Sequence, residues 1–179
     1  MAVVIRPVRE SDLAKADRIF RTAFGTFLGL PDPAAFAGDS DYIRTRWRLD
    51  PTAAWAAERE GELVGTNFAT CWGSVGFFGP LTVRVDQWNA GVARQLLERT
   101  MARFEEWQVR HAGLFTFAQS AKHLHLYGSF GFAPRFLTAI MTEKETTKRA
   151  VLGGYPFISK PVTPQRLAEN IERYLARRA

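Results

Sequence analysis

The order of elements written in this sequence, β-α-α-β-β-β-α-β-α-β, predicts an α/β domain of the α+β type: a mixed, mostly antiparallel central sheet with helices on both faces. Three observations carry that reading. Apolar residues recur at helical spacing in Leu13, Ala16, Ile19, Phe20 and Phe24, and again in Ala93, Leu96, Leu97, Met101, Phe104 and Trp107. Two apolar runs, 53–58 and 63–70, flank Glu60-Gly61-Glu62, a hairpin signature. The second half holds a strand–helix–strand unit, which needs a crossover and therefore a parallel neighbour in the sheet.

In order, residues 3–8 read as the first strand, and Ser11 is positioned to cap the helix after it. A loop rich in Gly, Pro and Phe follows, from Gly25 through Phe36. Asp39 or Ser40 is set to cap a second helix through Tyr42, Ile43, Trp47 and Leu49. After the hairpin, a bulky stretch from Trp72 to Phe78 leads to Gly79-Pro80 and a strand over 81–85. A short loop at 86–90 opens a long helix ending near Arg110. Residues 114–117 read as a buried strand, 121–130 as a short helix ended by Gly131, and 134–141 as a last strand. The domain is assigned to residues 1–145, and 146–179 to a C-terminal extension. There Gly153-Gly154 breaks the chain, and Thr163-Pro164 starts a helix with Leu167, Ile171, Tyr174 and Leu175 on one stripe. The stripe must cover the domain's own surface or a second subunit, which leaves a homodimer open.

Composition removes several classes of function. Of 179 residues, 46% are apolar and 13% aromatic, enough for a real core and too many for a disordered chain. No apolar run is long enough to span a membrane, so no membrane role is expected. Met1 leads straight into the first strand with no signal-peptide pattern. Cys71 is the only cysteine, which excludes an internal disulfide and points to a reducing cytoplasm. Three scattered histidines and one cysteine give no metal-ligand spacing. The net charge of +6 attracts polyanions, but the basic residues are not interleaved with exposed aromatics, so a nucleic-acid partner is not expected.

Residues 83–94 are the most informative. A strand enters a tight turn, and Ala90, Gly91 and Ala93 open a helix without obstructing its backbone. The first turn of a helix has free N–H donors and the positive end of its dipole, which suits an anion. Arg94 adds a full charge. Close packing of helix on strand explains the small residues equally well.

The segment resembles motif A of the GNAT superfamily, an Arg/Gln-x-x-Gly-x-Gly/Ala pattern that follows a strand. Gly91, Val92 and Ala93 match its last three positions, while Trp88 stands at the Arg/Gln position and Asn89 where glycine is frequent. Residues 125–132 resemble motif B of the same family through Leu126, Tyr127, Gly131 and Phe132. Ser120 occupies the position, seven before the tyrosine, where the family often has Asn. The two motifs stand in the family's order, and the likeness spans about residues 3–142.

The resemblance implies the acyl-CoA N-acyltransferase (GNAT) fold, with acetyl-CoA as cosubstrate and no metal. It implies transfer of an acetyl group to a primary amine of a small molecule or a protein. Backbone groups of Leu81, Thr82 and Val83 would pair with pantetheine. Asn89, Ala90, Gly91, Val92, Ala93 and Arg94 would cradle the pyrophosphate, and Ser120 would offer a hydrogen bond. Tyr127 stands where the family places its general acid. No carboxylate lies in 81–85 or 114–119 to act as base. His123 is four residues before Tyr127, on the same helix face, and reads as a proton relay through water or as a surface histidine.

Other features stay open. Phe24, Phe27, Phe68, Trp72, Phe77 and Phe78 read as an acceptor pocket, a core or a dimer face. Cys71 reads as a buried, inert thiol. Residues 157–171 resemble the last strand and helix of a response-regulator receiver domain, a likeness confined to the tail. A non-catalytic acyl-CoA-binding or regulatory module on the same fold is the alternative function, and a basic nucleic-acid-binding domain a third.

Overall fold

The computed structural model describes residues 2–135 and the backbone of 151–152 and 155–156. The chain divides into two compact units, Met1–Arg135 and Phe136–Ala179. In the first, strands β1 (Val4–Pro7), β2 (Ala54–Arg59), β3 (Glu62–Trp72), β4 (Val75–Phe78) and β6 (His111–Gly113) form a sheet in the order β1-β2-β3-β4-β6, and the short β5 (Thr82–Val83) also pairs with β3. Every pairing in this sheet is antiparallel except β4 with β6. The sheet is thus mixed and mostly antiparallel, as the element order predicts.

Alternation along the strands sorts the core onto two faces. Ala54 and Ala56 of β2 pack with Leu13, Ala16, Ile19 and Phe20 of helix α1 (Leu13–Phe27) and with Ile43 of α2 (Tyr42–Leu49). Trp55 and Ala57 point the other way, to Val92 and Leu96 of α3 (Val92–Glu106). The last described helix, α4 (Ala121–Gly128), joins a third cluster through Leu126 and Tyr127, with Leu97 and Phe104 of α3 and Phe78 of β4. The hairpin turn between β2 and β3 has both Glu60 and Gly61 at positive φ, 55° and 79°, the conformation that a two-residue turn matching the strand twist requires.

Several local expectations are corrected. Ser11 does not cap α1. A 3₁₀ turn (Glu10–Asp12) precedes the helix, and the Asp12 carboxylate accepts from the Arg9 N–H at 2.8 Å and from Arg6. The second helix starts after Asp41, not Asp39 or Ser40, and Thr45 donates back to the Asp41 carbonyl. Gly25 lies inside α1, not in the loop. A Cβ there would fall 2.2 Å from the Pro33 carbonyl oxygen, so the glycine lets the returning chain press against the helix. The bulky stretch from Trp72 is a second hairpin, because β3 runs on to Trp72 and turns through Gly73 into β4. Residues 81–85 hold only the two-residue β5 before a 3₁₀ turn (Val85–Gln87).

The parallel strand falls earlier than expected. It is His111–Gly113, and the expected buried strand at 114–117 is irregular, with Phe115 74% exposed. The cause is its partner: β4 is four residues long and ends at Gly79-Pro80, so the ladder runs out at Phe77↔Gly113. Of the expected strand at 134–141 only residues 134–135 are described, and they are irregular; the rest of it, the tail helix from Thr163, the 145/146 boundary and the receiver-like segment lie outside the described residues, which beyond 135 comprise only the backbone of 151–152 and 155–156. There the backbone of Val151–Leu152 pairs antiparallel with that of Tyr155–Pro156.

Candidate active site

The site grows out of a discontinuity in the sheet. β3 serves two partners in turn, pairing through Gly65 and Thr66 with β5 and through residues 69–72 with β4. Gly79 and Pro80 interrupt the run, since proline brings no N–H to a ladder. β6 follows β4 and then departs. Among the described residues, β5 therefore has a neighbour on one side only, and a slot opens where a fully paired sheet would continue.

Two features hold β5 against β3. The hydroxyls of Thr66 and Thr82, both buried, pair at 3.0 Å. Gly65 allows the close approach, for a Cβ there would sit 2.7 Å from the Thr82 carbonyl oxygen. The Arg84 N–H donates to the Val64 carbonyl at 2.8 Å. By alternation, the peptide groups of Leu81 and Val83 face away from β3, into the slot. One is already in use: the Trp88 indole N–H donates to the Val83 carbonyl at 2.8 Å.

Beyond β5 the chain turns into α3. Asn89 and Gly91 both hold positive φ, 66° and 77°, with Ala90 between them. No side chain caps α3, and Gln95 is the first residue whose N–H finds a carbonyl, Gly91, at 3.3 Å. The N–H groups of Val92, Ala93 and Arg94 thus have no protein acceptor among the described residues, and they lie at the positive end of a 15-residue helix. Two cations flank them. Arg94 reaches Ser129 at 2.9 Å and lies over the Phe130 ring, and Lys122 of α4 bonds the Asn89 side chain and lies over Trp88. Free amides, a left-handed turn without bulk and two exposed cations form a donor set fitted to a pyrophosphate.

Tyr127 belongs to the cluster that includes Phe78 and Leu81, so α4 brings it beside the start of β5. Burial pushes its phenol up to about 12, with Thr116 pulling the other way. His123 lies one turn earlier, among Phe27 at 5.1 Å, Tyr127 at 6.4 Å and Phe117 at 6.5 Å between ring centroids. It is a half-buried histidine rather than a surface one, and its buried Nδ1 has no partner among the described residues. Burial, and then Lys122, lower its pKa from the ordinary histidine value and favour the neutral ring.

The structure brings Leu81, Thr82, Val83, Tyr127 and the 89–94 turn around one slot. Ser120 is the N-cap of α4, accepting from the His123 N–H at 3.4 Å. The aromatic set divides: Phe68 and Phe78 are core, Phe24 and Phe27 gather with Phe36, Phe117 and His123, and Trp72 stacks on Phe77 with 58% of its surface exposed. Cys71 is half-buried, not buried, and donates to the Gly73 carbonyl. Sequence reasoning passed over Lys122. Its signal was a cation two residues past Ser120, at the start of the helix facing the 89–94 turn. Among the described residues no three His, Cys, Asp or Glu side chains converge, and no helix is long and apolar enough to cross a membrane.

Comparison with known proteins bears on this arrangement. The model of the acetyltransferase (GNAT) family matches residues 17–132. PH1933 from Pyrococcus horikoshii superposes with a TM-score of 0.64 at 17% identity, over 78% of this chain and 94% of that one. The ribosomal-protein-S18-alanine N-acetyltransferase of Escherichia coli gives 0.60 at 20% identity, over 75% and 80%. A GNAT family acetyltransferase from Brucella melitensis, solved in complex with acetyl-CoA, gives 0.56 at 20%, over 74% and 84%. No curated protein matches the sequence.

Proposed function

The chain belongs to the GNAT acetyltransferase family, and from that membership we propose that it is an active N-acetyltransferase that moves an acetyl group from acetyl-CoA directly to a primary amine. The carrying observation is that β5, paired on one side only among the described residues, leads through a 3₁₀ turn and the left-handed turn at 89–91 into an uncapped helix flanked by Arg94 and Lys122. Peptide groups of Leu81 and Val83 take the amide-bearing arm, an exchange of backbone bonds that is indifferent to side chains. The amides at 92–94, with Asn89, Ala90, Arg94 and Lys122, hold the diphosphate.

The bound thioester supplies the activated acetyl group. The amine nitrogen, deprotonated, bonds to the carbonyl carbon, and the carbon–sulfur bond breaks. The nitrogen gives up one proton and the sulfur gains one, so the sum is an amide and a free thiol. Tyr127 directs its O–H at the departing sulfur. A phenol at about 12 is a weaker acid than a thiol near 8.5, by roughly 5 kcal/mol at 1.36 per unit. Its contribution is therefore first a hydrogen bond to the developing charge, and any proton it passes to sulfur is replaced by the one that the nitrogen sheds, so the phenol ends the cycle as it began. Holding both reactants in line supplies much of the remaining rate.

One observation favours the second reading, a non-catalytic acyl-CoA-binding module: the Trp88 indole occupies the Val83 carbonyl. Calorimetric titration with acetyl-CoA, desulfo-CoA and ATP, followed by thiol release on an amine panel, separates the readings. Micromolar binding of the CoA compounds with thiol release supports the enzyme. Binding without release on any amine supports the module. No binding removes both.

A further inference from the structure

Acetyl transfer needs a group that takes the proton shed by the attacking nitrogen. Tyr127, whose phenol keeps its own proton up to about 12, is not that group. Residues 81–85 and 114–119, on the two sides of the slot, contain no aspartate or glutamate. No carboxylate acts on the rings beside it either: apart from burial, only Thr116 acts on Tyr127 and only Lys122 on His123. His123 stands next to Tyr127 with no task in the transfer so far.

Its place is set by the sheet. Phe68 of β3 packs with α1, and the next residue, Ala69, packs with Phe104 of α3 and with Leu126 and Tyr127 of α4, so α1 and α4 cover opposite faces. Yet His123 of α4 meets Phe27 of α1 at 5.1 Å between ring centroids, and Tyr127 of its own helix at 6.4 Å. Side chains from opposite faces meet where the sheet is open. Here the opening is the slot between β5 and the chain that leaves β6. Phe117, on that departing chain, lies 4.7 Å from Phe27 and 6.5 Å from His123, which puts the meeting at the slot.

The chemistry of the ring follows from its surroundings. Nδ1 is buried with no partner among the described residues. A buried acceptor left unbonded costs about 1–3 kcal/mol, and such exceptions in native proteins call for an explanation, a catalytic role among them. In the neutral ring, which burial favours, a proton on Nε2 leaves the Nδ1 lone pair free. Lys122 and Tyr127 are the titratable groups facing it from α4, while α1 and the 114–119 segment present the uncharged Phe27 and Phe117. The cover on this side is thin. Residues 115, 116, 118 and 119 are exposed, and the segment's one backbone bond among the described residues runs from the Ser120 N–H to the Phe117 carbonyl at 3.1 Å. A reactant entering the slot displaces such a segment at little cost.

We propose that His123 is the general base of the transfer and that its Nδ1 takes the proton of the attacking amine. This rests on the acetyltransferase reading above. As the nitrogen bonds to the carbonyl carbon, its proton passes to Nδ1. The carbon–sulfur pair leaves on sulfur, which takes a proton from Tyr127. The imidazolium, on the neighbouring ring, returns its proton to the phenolate. The products are an amide and a free thiol, and both side chains end neutral.

The experiment follows thiol release from acetyl-CoA with an acetylated amine of the panel, between about pH 5.5 and 9. His123→Gln keeps a hydrogen-bonding group but takes up no proton. It is expected to lower kcat/KM about 100-fold, with acetyl-CoA affinity by calorimetry within about two-fold of wild type. The wild type loses rate as pH falls through the histidine range, beyond the slope that the amine's own ionisation imposes on both proteins, and the variant lacks that extra limb. His123→Ala leaves room for a free imidazole, which is expected to restore its rate about ten-fold in proportion to the unprotonated form, a response that lost packing does not give. Wild-type turnover by His123→Gln overturns the proposal. So does a loss of rate that keeps the acid limb and ignores imidazole, or a matching loss of acetyl-CoA affinity, either of which makes His123 a wall of the slot. In those cases the wild type still acetylates amines and the acetyltransferase reading stands. A wild type that binds acetyl-CoA but acetylates no amine sinks that reading, and the base falls with it.

Discussion

At the scale of the residue, Trp88 and Tyr127 govern the slot from opposite ends. The Trp88 indole holds the Val83 carbonyl, which the proposed cofactor pairing also uses. A hydrogen bond contributes about 1 kcal/mol net, so Trp88→Ala is expected to tighten acetyl-CoA binding about five-fold by calorimetry. Tyr127→Phe keeps the ring in its cluster and removes the donor. Turnover is expected to fall about ten-fold with cofactor affinity unchanged, and equal turnover would remove Tyr127 from the chemistry. Because the phenol keeps its proton up to about 12, no loss of rate between pH 8 and 10 should trace to it, which a pH profile of the mutant beside the wild type reads directly. His123 works in the other direction. Its folded pKa is depressed, so the unfolded chain binds the extra proton first, and stability falls as pH drops below 6.5. His123→Gln should flatten that acid limb in thermal melts between pH 7 and 5.

At the scale of the element, Gly65 decides where β5 lies. A Cβ on residue 65 meets backbone at 2.7 Å, and backbone cannot swing aside as a side chain can. Gly65→Ala is expected to cost about 1–3 kcal/mol by overpacking and to weaken acetyl-CoA binding as well, because β5 is also the wall of the slot. Chemical denaturation and calorimetry on one variant check both halves. The elements themselves were legible to different degrees. α1 and α3 could be read because their apolar residues repeat within one helix, and the β2–β3 hairpin because Glu60-Gly61 is a local turn. β6 could not, because its extent is set by β4, more than thirty residues away and only four long. Ser11 does not cap α1 because Asp12, held by Arg6 six residues earlier, closes a 3₁₀ turn there by accepting from the Arg9 N–H. The 89–94 turn was readable as small residues before a helix, but the reach of Trp88 and Lys122 into it depends on tertiary placement.

At the scale of the molecule, every described site residue lies in the unit Met1–Arg135. The assignment of a self-sufficient domain to residues 1–145 leads to a plain expectation. A fragment ending at residue 145 should melt cooperatively and bind acetyl-CoA within about two-fold of the full chain. A fragment that folds but has lost the cofactor would give the tail a part in binding. Charge is the other molecular property with a use. The net +6 is in part displayed around the 89–94 turn, at Arg94 and Lys122, where it would draw an anionic cosubstrate toward the protein before any contact forms.

The Trp88–Val83 bond has a meaning beyond affinity. A strand bonded on one side only is an open sheet edge, a template on which a strand of another molecule can build. In a cell where acetyl-CoA runs low, that template would be bare. The indole of Trp88 caps it with a side chain that a reactant can displace but that offers no continuous ladder to a second chain. In the proposed complex, the interaction that competes with the cofactor for the Val83 carbonyl would also cover this edge in the empty protein.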